Sequence, residues 1–158
     1  KTHQNKSVPS PAEMKPTKEL VLPNKTMALL YALLDVPLHG SQCRARNRFA
    51  QIVKNRINFL EDERVKLLEE RCNKDEEGKP KKKNLGSPQE EYDIDAGPLG
   101  EYREIYSKLM DESFVIDLIG TLKADVVAVR PIVLDSRMPI GTLDGYVYEL
   151  ICTAFEAV

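Results

Sequence analysis

SQCRARNRFAQIVKNRINFLEDERVKLLEERC, residues 41–72, is the stretch of sequence that decides the fold. It contains no glycine or proline, and its apolar residues recur at steps of three and four between Phe49 and Leu60. This spacing is typical of one apolar face of an α-helix. The pattern therefore predicts a single continuous helix of about nine turns, with Ser41 as its N-terminal cap.

The charged residues of this helix are sorted along its length. Its first half carries a basic band, which consists of Arg44, Arg46, Arg48, Lys54 and Arg56, and carboxylates dominate the second half. This order opposes the helix dipole, which favours acids at the start of a helix and bases at its end. No acid lies within four residues of Arg44, Arg46 or Arg48, so local ion pairs do not stabilise the basic end.

The length and the composition of the chain are typical of a single globular domain. The chain has 158 residues, of which 42% are hydrophobic and 30% charged, and this is enough for one core. No apolar run approaches the roughly 20 residues that span a bilayer, so we expect no membrane partner. Three widely spaced cysteines predict free thiols and a reducing compartment.

Two segments precede the long helix. Residues 1–18 carry three prolines among polar residues and predict a flexible arm, which leaves residues 19–158 as the globular domain. The stretch ELVL, residues 19–22, predicts a short strand, and Asn24 is placed to cap a helix that runs to Leu34. Because the connection to the long helix is short, we expect the two helices to form an antiparallel hairpin.

The middle of the chain predicts a loop, two strands and a helix. Residues 73–89 are rich in charge, glycine and proline, which predicts a solvated loop. Short strands are expected at residues 92–95 and 114–118, paired in a small sheet of two or three strands. A helix is expected to begin near Pro98.

Two helices are expected at the C-terminal end. The first should run from residues 120–121 to Leu134, although its β-branched residues leave a strand possible, and it is expected to bend or break at Pro131. The second should run over residues 143–157 and bury Val147, Leu150, Ile151, Ala154 and Phe155. The fold class that follows is mostly α, with α+β character: a long antiparallel helical hairpin, a small sheet and C-terminal helices.

Few residues have the spacing of a catalytic or metal site. His39 and Cys43 are four apart, as two metal ligands can be, but no second pair has matching spacing and zinc needs four donors, or three and a water. Asp93 and Asp95 could hold a divalent cation, although alternation along a strand turns both towards solvent. The sequence contains no glycine-rich phosphate loop, no G-x-S-x-G and no H-E-x-x-H. We therefore expect no enzymatic activity, no metal and no cofactor.

The basic band is the candidate binding surface. An arginine fork suits both phosphate groups and carboxylates, so a solvated face, a protein partner and a nucleic acid all remain open. The formal net charge of −2 and the acidic second half of the helix favour a protein partner with patchy charge. The lysine run of residues 79–83 has no aromatic residue among its lysines, which favours a solubilising tip over a surface for base stacking.

Three motifs point to a known family. They are R-x-R-x-x-F at Arg44, Arg46 and Phe49, K-D-E-x-G-x-P at residues 74–80, and E-S-F-V-I-D at residues 112–117. With these motifs the chain, from about Lys25 onward, resembles a family of small proteins encoded by phages and prophages of Gram-positive bacteria. It departs from that family in its proline-rich arm and in Pro131. The resemblance implies a viral gene product in the host bacterial cytoplasm or in the virion, and it brings no catalytic residues with it.

These observations together lead to one functional expectation and one alternative. The expected function is that of a non-enzymatic phage accessory protein that binds another protein of host or phage. It would act in particle assembly or as an inhibitor of a host system such as an immune nuclease complex. The alternative is a nucleic-acid-binding regulator that uses the basic band. A homo-oligomer is compatible with both.

Overall fold

The computed structural model describes residues 18–158. The predicted flexible arm lies outside the described residues, apart from Lys18. The helices are α1 Met27–Leu33, α2 Gly40–Arg71, α3 Ala96–Asp111, α4 Thr121–Leu134 and α5 Thr142–Glu156. The strands are β1 Glu19–Pro23, β2 Lys82–Lys83, β3 Glu91–Tyr92 and β4 Ser113–Asp117. The fold is thus mostly α with a small β component, as the sequence predicts.

Helix α2 organises the packing of the other elements. It is 32 residues long and unbroken, which confirms the predicted continuous helix. Its apolar face is buried against the other helices at Ala45, Phe49, Val53, Leu60 and Leu68. The predicted Ser41 cap is wrong. The helix begins one residue earlier, at Gly40, and His39 flanks it in an extended conformation without a side-chain capping bond.

The short helix α1 packs antiparallel to the first half of α2. Near the end of α1, the carbonyl oxygens of Leu34 and Val36 accept hydrogen bonds from Nη1 of Arg46, at 2.7 and 2.6 Å. Before its start, Oδ1 of Asn24 accepts a hydrogen bond of 2.9 Å from Nε of Arg56. Arg46, the earlier of these two α2 residues, contacts the end of α1, and Arg56, the later one, contacts Asn24 before its start. The two helices therefore run antiparallel. The predicted helical hairpin is present, and α1 is its short helix.

Asn24 does not cap α1, and that prediction is wrong. It lies in a 3-10 turn, Asn24–Thr26, that precedes the helix and makes no side-chain cap bond. The residue is completely buried, so both ends of its amide need partners inside the protein. Nδ2 donates to the carbonyl oxygen of Leu109 in α3 at 2.7 Å, and Oδ1 accepts from Arg56. Asn24 therefore joins α1, α2 and α3.

The described strands form two separate two-stranded antiparallel sheets. β1 pairs with β4, from Glu19 opposite Asp117 to Pro23 opposite Ser113. Alternation turns Leu20 and Leu22 of β1 into the core. β2 pairs with β3. The predicted pairing of residues 92–95 with residues 114–118 is therefore wrong. β4 pairs with β1 instead, and the sheet that they form buries Leu20 and Leu22.

Residues 73–90 are mostly exposed, as predicted for a solvated loop, but they are not irregular. Lys81 N–H donates to the carbonyl of Asn73 at 2.9 Å, and Asn73 N–H donates to the carbonyl of Asp93 at 2.7 Å. The hydroxyl of Tyr92 donates to a carboxylate oxygen of Glu69 in α2 at 2.9 Å. These bonds hold the β2–β3 hairpin against the second half of α2.

Helices α4 and α5 complete the core against α1 and α2. Phe155 of α5 meets Phe49 of α2 edge to face, with ring centroids 5.9 Å apart and an interplanar angle of 84°. Of the predicted bend or break at Pro131, the break does not occur, since α4 continues through the proline to Leu134; the bend stays a prediction. The carbonyl that loses its helical partner at this proline belongs to Val127, a residue on the exposed side of α4.

Within residues 18–158, none of the helices combines the length and the hydrophobicity needed to cross a bilayer. Cys43, Cys72 and Cys152 are free thiols, as their spacing predicts, and the last two are buried.

Candidate functional site

The structure pairs Arg48 of the basic band with a distant carboxylate. Nε and Nη2 of Arg48 donate to Oδ2 and Oδ1 of Asp125 in α4, at 2.8 and 2.6 Å. Asp125 is only 4% exposed, so this fork neutralises a buried charge. The ion pair supplies the acid that the local sequence of α2 lacks. It explains how the basic end of α2 is held against α4.

This ion pair predicts a specific dependence of stability on pH. The hydrogen bonds from Arg48 lower the pKa of the Asp125 carboxyl below its usual value, although burial acts in the opposite direction. A carboxyl with a lowered folded-state pKa stabilises the fold above its unfolded pKa of about 3.9, and the stabilisation is lost as pH falls through the folded pKa. The stability of the wild type against urea should therefore fall as the pH is lowered from about 5 to 3, and Asp125→Asn should make this fall smaller.

Arg48→Met provides the control for this prediction, because it removes the cause of the shift and keeps the carboxyl. We expect it to weaken the same acid-dependent loss, while both variants are less stable than the wild type at pH 7. The measurement is the urea midpoint by circular dichroism at each pH. An Asp125→Asn profile parallel to that of the wild type would contradict the prediction.

Two more members of the basic band bind inside the protein. Arg46 donates to the carbonyls at the end of α1, where a cation is favoured by the helix dipole. The guanidinium of Arg56 lies 4.7 Å from the ring centres of both Phe59 and Phe114, in addition to its bond to Asn24. These two arginines connect α2 to α1 and to β4, so they contribute to the fold.

The remaining cations of the band face solvent. Arg44 is exposed, and the exposed Lys54 places Nζ 5.4 Å from the ring centre of Tyr31. The side chain of Arg48 remains 52% exposed despite its ion pair. Fewer than the five predicted residues are thus available to a partner, and the role of the basic band in binding stays a prediction.

The two aspartates considered for metal binding already have partners within the protein. Asp93 lies near the ammonium groups of Lys81 and Lys83, at 4.0 and 3.5 Å, and Asp95 accepts a hydrogen bond from Asn73 at 3.2 Å. In the part of the chain that the structure describes, no three His, Cys, Asp or Glu side chains are grouped so that they could hold a metal ion.

An open groove lies between α2, the β2–β3 hairpin and α3. Its volume is about 580 Å³, and its apolar lining consists of Val65, Leu68, Ile94 and Leu99. Nζ of Lys82 lies 4.9 Å from the ring centre of Tyr92, and Tyr102 stacks on Tyr106 at 5.6 Å. The lysine run is therefore next to an aromatic ring in space, which the sequence interpretation missed because Tyr92 lies ten positions after Lys82.

Helix α5 presents a second apolar face that the sequence analysis did not identify. Leu143, Tyr146 and Leu150, here called the outer stripe, are 86%, 76% and 39% exposed. Their spacing of three and four residues places them on one face. The opposite face is buried at Ile151, Cys152 and Phe155.

The expectation for α5 was therefore correct in part. Ile151 and Phe155 are buried as predicted, Val147 and Ala154 are half-buried, and the prediction that Leu150 is buried is wrong. The available signal was the number of apolar residues, since the helix has more of them than one buried face needs. A helix that is apolar on more than one side is usually covered on more than one side.

Comparison with known proteins gives no match: no family model fits the sequence, no curated protein is similar to it, and no solved structure matches the fold.

Proposed function

We propose that this chain is a non-enzymatic phage accessory protein that acts by binding another protein. The partner belongs to the host or to the phage, and the complex forms during particle assembly or inhibits a host system such as an immune nuclease complex. The observation that carries this proposal is the outer stripe of α5, where most of the surface of Leu143 and of Tyr146 is exposed to solvent.

The outer stripe has the chemistry of a binding surface. Burying a leucine side chain contributes about 1.5–3 kcal/mol, so two exposed leucines are a source of binding energy that the isolated domain does not use. Tyr146 adds a rigid amphipathic ring, the kind of side chain that is enriched among the residues that dominate binding energy. Contiguous apolar side chains on a soluble domain commonly mark contact surfaces.

The sequence resemblance supplies the biological context of the proposal. The resemblance implies a protein encoded by a phage or prophage of Gram-positive bacteria, so we propose that it functions in the host bacterial cytoplasm or in the virion. Assembly and inhibition differ in their effect on infection. If the protein is an inhibitor, its deletion leaves the yield of assembled particles unchanged in a host that lacks the target system.

The stripe can be tested with Leu143→Gln combined with Tyr146→Gln. Both side chains are exposed, so the fold should remain intact by circular dichroism. Capture of the partner from infected cells should weaken at least about tenfold, because the loss of two anchors removes more than about 1.4 kcal/mol.

The matched control for the stripe variant is Ile119→Gln combined with Val127→Gln. These side chains are 77% and 56% exposed and lie outside α5. The control should capture the same partner as the wild type does. Equal capture by the stripe variant and the control would overturn the proposal.

The alternative, a nucleic-acid-binding regulator, has one structural observation in its favour. Lys82 and Arg103 line the groove that also holds Tyr92 and Tyr102, and cations beside aromatic rings can bind single strands. The test is whether the wild type causes a salt-dependent shift of single-stranded RNA. Loss of that shift in Lys82→Glu with Arg103→Glu, or in Arg44→Glu with Lys54→Glu, would favour this alternative over the proposed function.

A further inference from the structure

We infer that the segment that covers the outer stripe is an amphipathic helix of the partner protein with lysine or arginine along one border. The inference rests on the proposed function and adds the conformation and the charge of the partner. It follows from the backbone of α5, the spacing of the stripe and the distribution of carboxylates around it.

The backbone of α5 favours a helical partner over an extended one. Apart from those at its two ends, its N–H and C=O groups bond within the helix, so α5 offers no free strand edge to an extended peptide. A segment that buries itself on this face must therefore satisfy its own backbone groups, and a helix does so internally. Among the common peptide-binding modes, the packing of helix on helix therefore suits this surface better than strand addition.

The spacing of the outer stripe determines how long the partner helix must be. Leu143, Tyr146 and Leu150 form a ridge that covers two turns, about 10 Å along the helix axis. Ridges of this kind pack into the grooves between side chains of a second helix. A partner with apolar residues at the same spacing over about three turns would cover the whole ridge.

The charges on α5 determine which sign of charge is favoured on the partner helix. The helix contains Asp144, Glu149 and Glu156 and no lysine or arginine. At about 100° per residue, Glu149 and Glu156 lie on the same side of the helix, about 100° from the centre of the outer stripe. We call these two residues the acidic border. Neither carboxylate forms an ion pair with another side chain within residues 18–158.

The acidic border has a direct consequence for the partner. A helix on the stripe passes beside Glu149 and Glu156, so cations on its near border would gain attraction, and carboxylates there would be repelled. The same carboxylates disfavour a second copy of α5 on the stripe. Such a dimer would bring the four carboxylates of two acidic borders to one interface, and α5 has no lysine or arginine to offset them.

The test uses two synthetic peptides of eighteen residues with the same leucine spacing. One carries lysine along the border of its leucine face, and the other carries glutamate there. Fluorescence anisotropy at physiological salt should show that the wild type binds the lysine peptide at least about tenfold more tightly, a difference of about 1.4 kcal/mol. Glu149→Lys with Glu156→Lys should reverse this preference.

The control for net charge is Asp62→Lys with Glu76→Lys, which makes the same change in charge at two exposed sites outside α5. It should keep the preference for the lysine peptide. If the charge-swapped α5 variant and this control behave alike, the binding is non-specific attraction and the inference is overturned.

The outcomes also separate the inference from the proposed function. If the stripe variant loses its partner but the acidic-border variant keeps the lysine preference, the function stands and the charge inference fails. If the stripe variant retains its partner, the proposed function fails first. A wild-type dimer in sedimentation experiments that dissociates in the stripe variant would show that a second copy covers α5, which also overturns the inference.

Discussion

Phe155→Ala should destabilise the fold by about 3–5 kcal/mol, the usual range for removing a fully buried phenylalanine. Its ring is inaccessible to solvent and meets the equally buried ring of Phe49, which joins α5 to the organising helix α2. Truncation would leave a cavity that the surrounding helices can close only in part. The measurement is the free energy of unfolding in urea, followed by circular dichroism at 222 nm.

The control for this prediction is Leu143→Ala on the same helix. Leu143 is 86% exposed, so its truncation should change the stability by less than about 0.5 kcal/mol. A double-mutant cycle with Phe49→Ala should also show a coupling between the two rings of about 0.5–1.5 kcal/mol. A loss below 1 kcal/mol for Phe155→Ala, on the order of a surface change, would contradict the packing described for α5.

Asn24→Ala should cost about 2–4 kcal/mol, because it leaves the carbonyl of Leu109 and the guanidinium of Arg56 without a buried hydrogen-bond partner. The residue is 0% exposed and connects three helices, so water has little access to replace the amide. The prediction is measured as the shift in urea midpoint at constant slope. Changes in the slope would instead indicate a less compact native state.

Asn55→Ala is the matched control for this prediction. Asn55 is exposed on α2, and its side chain accepts a hydrogen bond from Gln51 at 2.8 Å. Alanine has the higher helix propensity, so the control should be neutral or slightly stabilising. If both asparagine variants behave alike, the amide of Asn24 does not join the helices as described.

The sequence predicted the elements of this fold better than it predicted their partners. The periods that define α2, β1 and β4 are local properties, because each follows from the spacing of apolar residues along a short stretch. The pairing of β4 with β1 rather than with residues 92–95 depends on which face can be buried in the assembled molecule. Local spacing carries no information on that choice.

The candidate site shows the same division. The sorting of charge along α2 correctly indicated that something must compensate Arg48, but the compensating carboxylate lies 77 positions away. The exposed face of α5 was missed for a related reason, since a single helical period does not tell which of two apolar sides meets the core. The number of apolar residues on the helix was the one available signal.

The register of β1 with β4 has a consequence for how the chain is made. Glu19 pairs with Asp117, 98 positions later, and closing a loop of that length costs about 4 kcal/mol of chain entropy beyond a constant. A ribosome adding about 5–20 residues per second needs roughly 5–20 s to make the intervening chain. During that time Leu20 and Leu22 have no strand to pair with. β1 can therefore take its place in the sheet only after β4 has been made, and its two core leucines stay without their strand partner throughout that interval.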